Sequence, residues 1–276
     1  MQEWGVAMAT ATKVLATMRQ EGLVQTLPGV GTVVAAPTER PTSSGERRIP
    51  RNADANLSSE QIVRAAMAIA DSGGLKALTM RRVAVELNVT TVSLMRQVGG
   101  EDELIVRMAD AAFGEHPFPR VPPKGWRARL ELGARTQWQI YRRHPWLAQA
   151  MSFTRPILTP HTLAHSEWGL AALDGLGLSP EAMFQVHISI ANYVRATAIN
   201  LVPEAEAEQD TGVTDTQWVE SQRDTLGRIF ASGAFPVFSR LQAMQSETDL
   251  GLETLLEFGL QRMLDGVAAM LGRNAD

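Results

Sequence analysis

The sequence contains no cysteine, so it can build neither a disulfide framework nor a zinc finger, and it offers no thiol nucleophile. This fits a reducing compartment, and we expect the protein in the cytoplasm. No run of about 18 uncharged apolar residues occurs, and the N-terminus lacks the features of a signal peptide, so we expect no contact with a membrane. Basic residues are not in excess either: the net charge is -4, and any binding to nucleic acid must depend on a local patch.

The chain is nevertheless long and apolar enough to fold around a core. It has 276 residues, of which 45% are hydrophobic, and domains of about 100–200 residues give one to three folded units. We divide it into residues 1–35, residues 36–56, residues 57–113 and residues 114–276. The predicted fold is mainly all-α, with a helix-turn-helix domain, a larger helical domain, and a short helix and β-hairpin near the N-terminus.

The N-terminal part combines a predicted helix over residues 6–20 with a predicted hairpin. Residues 23–27 and 31–34 have the composition of strands and flank a turn at Pro28-Gly29-Val30. Residues 36–56 are rich in Pro, Ser, Gly and Arg without any periodicity, which is typical of a flexible linker.

Residues 57–113 predict four short helices. Ser58 and Gln61 form a capping-box pattern, while Thr79 and Thr90 are suited to begin the second and third helices. Between those two helices, Asn88 stands where a tight turn needs a residue that tolerates left-handed geometry. This is the layout of a helix-turn-helix DNA-binding domain, although an ordinary helical bundle remains an alternative.

The candidate DNA-binding residues lie on the second and third of these helices. Arg81 and Arg82 begin the second helix, where they could reach phosphates. Residues 76–97 hold four basic side chains against the single acid Glu86, so the positive patch is small. The polar residues of the predicted recognition helix complete the set: Thr90, Thr91, Ser93, Arg96 and Gln97.

Residues 114–276 predict longer helices over residues 126–143, 160–176, 180–201, 215–230 and 249–271, with an acidic loop at residues 204–210. The helices over 180–201 and 249–271 carry more apolar surface than one core needs, which predicts a homodimer through them. The proposed interface residues are Ile190, Val194, Leu256, Leu260, Met263, Leu264 and Val267.

The same region could enclose a small-molecule pocket, because such pockets are mostly apolar with a few polar anchors. Core packing is the alternative role for each aromatic residue. The candidate pocket residues are Trp138, Tyr141, Trp146, Phe153, Trp168, Phe184, His187, Asn192 and Arg195.

We expect no metal, cofactor or catalytic site. His161 and His165 lie four residues apart on a helix, but no HExxH arrangement or third ligand accompanies them. The Gly29-Val30-Gly31 segment is a hairpin turn rather than a dinucleotide-binding loop. No nucleophile elbow or paired-carboxylate motif is present.

With these elements in order, residues 57–113 resemble the N-terminal domain of TetR/AcrR-type transcriptional regulators, and the following region resembles that family's ligand-binding and dimerisation domain. The resemblance implies a ligand-responsive regulator that binds operator DNA as a homodimer. In this family a tyrosine, a histidine and a lysine usually stand where this chain has Met95, Gln97 and Glu101. The motifs that carry the resemblance are Ile62-Val63-Arg64-Ala65-Ala66, the run from Gly74 to Ala84, Leu87-Asn88-Val89-Thr90 with Ser93-Leu94, and Asp102-Glu103-Leu104.

Residues 3–35 resemble the end of a GntR-type winged helix. The opening helix of that module is absent, which favours either a true start upstream of Met1 or a relic of the domain. The matching motifs are Glu3-Trp4-Gly5-Val6, Lys13-Val14-Leu15, Glu21-Gly22-Leu23-Val24 and Pro28-Gly29-Val30-Gly31-Thr32.

Three functions follow in order of preference. The first is a transcriptional repressor released from its operator by an unknown small-molecule effector. The second is a small-molecule-binding helical dimer whose DNA-binding residues have decayed. The third is an all-helical enzyme that uses His144, His165 or His187 as a base.

Overall fold

The computed structural model describes residues 24–27, 31–34, 57–244 and 251–273. The chain divides into two compact units, Met1–Arg48 and Ile49–Asp276. In the first unit, β1 (Val24–Leu27) pairs antiparallel with β2 (Gly31–Val34), and Val24 lies opposite Val34. Both strands lie in the segments where the sequence predicts a hairpin. The predicted helix over residues 6–20 and the predicted linker over residues 36–56 lie outside the described residues.

The second unit begins with four helices of the predicted kind. They are α1 (Ser59–Ala77), α2 (Met80–Glu86), α3 (Thr91–Val98) and α4 (Glu101–Gly114). The expected end of the first helix at residues 73–74 is instead a kink, because Gly74 has a φ of 67° and the helix resumes to Ala77.

The ends of these helices are fixed by side-chain caps. Ser58 Oγ accepts from the amide of Gln61 at 3.2 Å, and the Gln61 side chain accepts from the amide of Ser58 at 2.8 Å. Thr79 and Thr90 cap α2 and α3 with their hydroxyl oxygens alone, which accept from the amides of Arg82 and Ser93. Asn88 takes the left-handed conformation with a φ of 54°, which sets the tight turn between α2 and α3.

The remaining helices form the larger part of the unit. Three of them begin with a proline, Pro145, Pro160 or Pro180, at the first helical position. A residue at that position has no intrahelical hydrogen bond from its N–H, so proline costs nothing there. In chain order they are α5 (Trp126–Arg143), α6 (Pro145–Ala150), α7 (Pro160–Leu173), α8 (Pro180–Ala198), α9 (Leu201–Thr211), α10 (Asp215–Ser221), α11 (Arg223–Phe230), α12 (Pro236–Met244) and α13 (Leu252–Arg273).

Several elements differ from the sequence prediction, and the short helix α6 (Pro145–Ala150) is one that was not predicted. Residues 204–210 belong to helix α9 rather than to a loop, because alanine and glutamate are strong helix formers and an acid near a helix N-terminus is favourable. The predicted helix over residues 215–230 is divided into α10 and α11 at Gln222. Helix α12 has no counterpart in the prediction.

Helix α5 is the centre of the larger part, since it packs against α7, α8 and α13. Its residues Trp138, Ile140 and Tyr141 are buried. Arg135 holds α13 to it through two hydrogen bonds to the carboxylate of Glu257, at 2.7 and 3.2 Å. None of the helices in the described ranges is long and apolar enough to cross a bilayer.

A buried histidine joins the first four helices to the rest. His144, at the junction of α5 and α6, places Nδ1 2.8 Å from a carboxylate oxygen of Asp71 on α1 and Nε2 3.2 Å from one of Glu115 after α4. Trp146 donates its Nε1–H to the same oxygen of Asp71 at 2.7 Å, and Arg143 lies 2.8 Å from Glu115. Burial lowers the pKa of His144, but the hydrogen bonds and charges of Asp71 and Glu115 outweigh it, so the pKa is raised.

We predict that His144→Gln lowers stability by about 1–3 kcal/mol, because it removes a buried imidazole that bridges two partly exposed carboxylates. The raised pKa of His144 adds stability that is fully present below pH 6.5, the ordinary value, and is lost as the pH rises through the folded-state value. Denaturant unfolding from pH 5 to pH 9 should show this loss in the unaltered protein and not in His144→Gln.

The matched control is His161→Gln. His161 lies 3.1 Å from Asp110, but its side chain is 53% exposed, so this pair contributes little. Equal losses of stability in the two variants would contradict the role given to His144.

Candidate functional site

The first candidate site is the exposed face of α2 and α3. Arg81, Arg82 and Arg96 are exposed there. Thr90 is exposed, but its hydroxyl oxygen already accepts from the amide of Ser93 at 3.1 Å. Thr91 and Gln97 are partly buried.

Ser93 is misassigned by the sequence prediction. Its side chain is buried beside the fully buried Leu94, because it lies on the face of α3 that packs against the other three helices. It is therefore not available to DNA. The exposed positions that the prediction missed are the apolar ones, Val92 and Met95, which are 65% and 48% exposed.

The second candidate site is a cavity of about 690 Å³ between α5, α7, α8 and the segment after α6. Tyr141, Phe153, Trp168, Phe184 and His187, five of the nine predicted pocket residues, line it. Apolar atoms make up most of the lining, as is usual for small-molecule sites.

The other four predicted residues lie outside the lining. Trp138 and Trp146 are buried in the core, and the indole of Trp146 is engaged by Asp71. Asn192 is exposed on α8. Arg195 is partly buried one turn beyond the lining residue Ala191.

Several lining residues were missed although the sequence carries a signal for them. On α5 the residues Leu130, Ala134, Gln137 and Tyr141 recur every three or four positions and all face the cavity. Small side chains at Gly133 and Ala134, next to large ones, indicate the space that the cavity occupies. The missed set also includes Met151, Ser152, Thr162 and His165.

The polar groups of the cavity are neutral at its buried end. Burial raises the pKa of Tyr141 to about 12, and its oxygen accepts from the side-chain amide of Gln137 at 3.0 Å. Burial also lowers the pKa of His187, and it lowers that of His165 to about 4. The cavity therefore presents an un-ionised phenol and two uncharged imidazoles at neutral pH.

A second, smaller cavity of about 440 Å³ adjoins the first. Phe113, His165 and Trp168 contribute to both. Phe118, in the segment between α4 and α5, stacks on Trp168 with ring centroids 4.1 Å apart. The segment that follows the first four helices thus contacts a side chain of the main cavity directly.

The residues predicted for a dimer interface are turned inward instead. Ile190, Val194, Leu256, Leu260, Leu264 and Val267 are buried within the single chain, and Met263 is partly buried. The apolar periodicity is real, but it serves the packing of α8 against α13 inside one protomer. The exposed apolar residues of the same helices are Phe184, Ile188, Leu255 and Phe258.

His161 and His165 acquire no metal-ligating partners. Across the described part of the chain, no three His, Asp or Glu side chains converge as a metal site would require.

Comparison with known proteins finds a family model and two relatives, all of them transcriptional regulators. A family model described as the tetracyclin repressor-like C-terminal domain matches residues 118–271. The HTH-type transcriptional repressor DrrR1 of Streptomyces coeruleorubidus is 38% identical over 229 residues, which cover 82% of this chain and 83% of that protein. An HTH-type transcriptional regulator of Saccharopolyspora erythraea is 32% identical over 138 residues, covering 50% of this chain and 58% of that protein.

Solved structures agree with these relatives. ActR of Streptomyces coelicolor, a TetR family protein solved in complex with actinorhodin, is 27% identical, with a TM-score of 0.63 over 78% of this chain and 97% of that one. Its apo form is 26% identical, with a TM-score of 0.58 over 79% of this chain and 97% of that one. The matched family model and the extent of the identity show that this chain belongs to the TetR family of transcriptional regulators, which are DNA-binding regulators rather than enzymes.

Proposed function

We propose that this protein is a cytoplasmic, homodimeric repressor that holds operator DNA with α2 and α3 and leaves it when a small molecule occupies the main cavity. The observation that carries the proposal is the cavity of about 690 Å³ in the same compact unit as the helix-turn-helix. The relatives support it: DrrR1 is named a repressor, and ActR has been solved with actinorhodin bound.

On DNA, α3 is the recognition helix in the major groove. Arg96 supplies a guanidinium that pairs with a guanine edge, while Val92 and Met95 offer apolar contacts of the kind that thymine methyl groups accept. Arg81 and Arg82, at the start of α2, contact phosphates and fix the register. Gln97 is a further candidate for a base edge, and Thr91 for a phosphate.

Release follows from contacts between the cavity and the DNA-binding helices. Helix α7, which forms one wall, is tied to α4 because Asp110 accepts from the amide of His161 at 2.9 Å. Helices α5 and α6 are tied to α1 through His144 and Asp71. A ligand that moves these walls moves α1 and α4, and with them the spacing of the two recognition helices in the dimer.

The second copy covers the outward faces of α8 and α13. Phe258 is 64% exposed and Leu255 is 44% exposed, and exposed apolar patches on a folded chain mark contact surfaces. Helix α11 buries no side chain of its own, so α10 to α12 extend this contact. Their exposed apolar residues are Trp218, Val219, Ile229, Phe235, Val237, Phe238 and Leu241.

We also propose the division into residues 57–113 for DNA binding and residues 114–276 for the effector and the dimer. Residues 1–35 are assigned to a partial GntR-type winged helix and residues 36–56 to a linker, on the sequence motifs alone.

We predict that Arg96→Ala weakens binding to the DNA that flanks the protein's own coding region by about tenfold or more, because a base contact of about 1–3 kcal/mol is lost. Lys76→Ala, outside the recognition helix, should cost only about two- to threefold and should reduce the salt dependence. Fluorescence anisotropy at two salt concentrations measures both. Unchanged binding in both variants would contradict the docking of α3, and no binding by the unaltered protein would favour an effector-binding dimer that has lost its DNA contacts.

We predict that Ala164→Phe abolishes effector binding, because Ala164 lines both cavities and a phenyl ring would fill the space between them. Actinorhodin and (S)-DNPA, the two molecules with which ActR has been solved, are tested for thermal stabilisation and for release of DNA. Compounds active on the unaltered protein should lose about tenfold or more in potency on Ala164→Phe. The control is Ala207→Phe on the exposed side of α9, which should respond normally; equal loss in the control would refute the assignment of the cavity.

We predict that Phe258→Asp shifts the dimer to monomer, weakening association by roughly 2 kcal/mol or more, because it places a charge in an apolar contact. Light scattering after gel filtration measures the mass, and thermal unfolding shows that the fold persists. Val121→Asp, at a position 84% exposed between α4 and α5, should leave the dimer intact. A monomer in the unaltered protein would defeat this arrangement.

A further inference from the structure

Arg195 lies on helix α8, one helical turn beyond the residues of that helix that line the main cavity. The cavity-lining residues Phe184, His187, Ile188 and Ala191 follow one another at intervals of three, one and three residues along one face of that helix. Arg195 is the next residue on the same face, four positions after Ala191. Its side chain therefore stands at the end of the cavity, one helical turn beyond the last lining residue.

The guanidinium of Arg195 lacks the partner that a half-buried cation normally has. Its Nε is buried without a hydrogen bond, and no carboxylate in the described part of the chain forms an ion pair with it. Its Cζ lies 6.0 Å from the ring centre of Phe153, which lines the cavity. An unmatched cation of this kind is costly unless an anion is supplied from elsewhere.

Tyr141 adds a hydrogen-bond donor at the same end. Its oxygen accepts from Gln137, and the amide of Gln137 is itself fixed by a second donation to the carbonyl of Ala191 at 3.3 Å. The phenolic O–H is not used in any hydrogen bond between described residues, so it is free to donate into the cavity. The positive charge of Arg195 acts on Tyr141, where it opposes the effect of burial on the pKa of the phenol.

The rest of the lining offers no competing charge at that end. His187 is half-buried, and burial lowers its pKa, while the one carboxylate of the lining, Glu167, is exposed on α7. No residue of the lining therefore offsets the positive charge of Arg195 near Tyr141, and surroundings of low polarity strengthen the field of that charge.

We propose that the effector is an aromatic acid whose carboxylate or ionised phenol accepts the Tyr141 O–H in the field of Arg195, while its rings lie against Phe153 and Phe184. This inference rests on the proposed function, since it names the chemical class of the effector. A charge-assisted hydrogen bond of this type is stronger than a neutral one, so the acid group gives the ligand its orientation.

The test compares matched acids and esters. The probes are 2-naphthoic acid and anthraquinone-2-carboxylic acid, each with its methyl ester, and calorimetry gives their dissociation constants for the full chain at pH 7. We expect each acid to bind at least tenfold tighter than its ester. Arg195→Gln should remove that preference and leave the ester within about twofold, whereas Arg195→Lys, which keeps the charge, should retain part of it.

Arg155→Gln is the matched control, because it removes the same charge from an exposed position in the segment that also carries Phe153. It should leave the preference for the acid intact. Equal binding of acid and ester, or an equal loss of both in Arg195→Gln, overturns the inference. The proposed function is judged separately by Ala164→Phe: if that variant blocks the esters and their release of DNA while no acid preference exists, the cavity is the effector site and only its charge preference is wrong.

Discussion

The structure depends on one buried histidine that bridges two carboxylates. His144 lies between two carboxylates from different helices, Asp71 on α1 and Glu115 at the end of α4. Both ring nitrogens face acceptors, so the protonated imidazole satisfies the site and the neutral form leaves one contact unmade. Because α1 and α4 are among the first four helices and His144 lies between α5 and α6, this contact joins the helices proposed to bind DNA to those proposed to bind the effector. The hydrogen bonds of His144 contribute modest energy. Their geometry, however, fixes the position of the junction between α5 and α6 relative to α1.

The second constraint is the space that the core leaves open. Protein interiors normally pack as densely as organic crystals, and an unfilled cavity lowers stability. Here Gly133 on α5 and Gly169 on α7 line the cavity, and each lies directly against a ring from a neighbouring helix. A Cβ at Gly133 would lie 3.2 Å from the ring of Trp168, and one at Gly169 would clash with the ring of His187, so a bulkier residue at either position would push that ring out of place. The space is thus maintained by the choice of small residues on two facing helices, which is consistent with a ligand that occupies it.

The parts of the fold that the sequence predicted well are those decided locally. The caps at Ser58, Thr79 and Thr90 and the turn at Asn88 depend on side chains next to the backbone they satisfy. Prediction failed where a distant partner decides the outcome. Apolar periodicity marks a buried face of α13, yet it does not reveal whether α8 of the same chain or a second chain buries it, and Leu260 is buried by its own protomer.

The candidate sites show the same contrast between residues whose place is decided locally and residues whose place depends on distant packing. Phe184 and His187 on α8 were predicted to line the cavity, and they do. Arg195 was predicted too, but it lies four residues after Ala191, the last residue of α8 in the lining. On α3, Ser93 was assigned to DNA for its polarity, although the helix turns that position toward the core. Polarity predicts exposure only on average, and a small hydroxyl beside Leu94 is tolerated in a core.

The sparse positive charge of the DNA-binding face bears on how an operator is held. Residues 76–97 offer four basic side chains against Glu86, and α4 begins with Glu101, Asp102 and Glu103 close to the end of α3. Few phosphates are neutralised by such a surface, so little affinity comes from counterion release. In the proposed dimer, the remaining affinity comes from base contacts of α3 and from the joining of two such helices, which raises the effective concentration of the second half-site. A regulator built in this way is sensitive to the spacing of its recognition helices, because losing one of the two contacts leaves too little charge to hold the DNA. Under the proposed function, small movements at the His144 junction are then enough to release the operator.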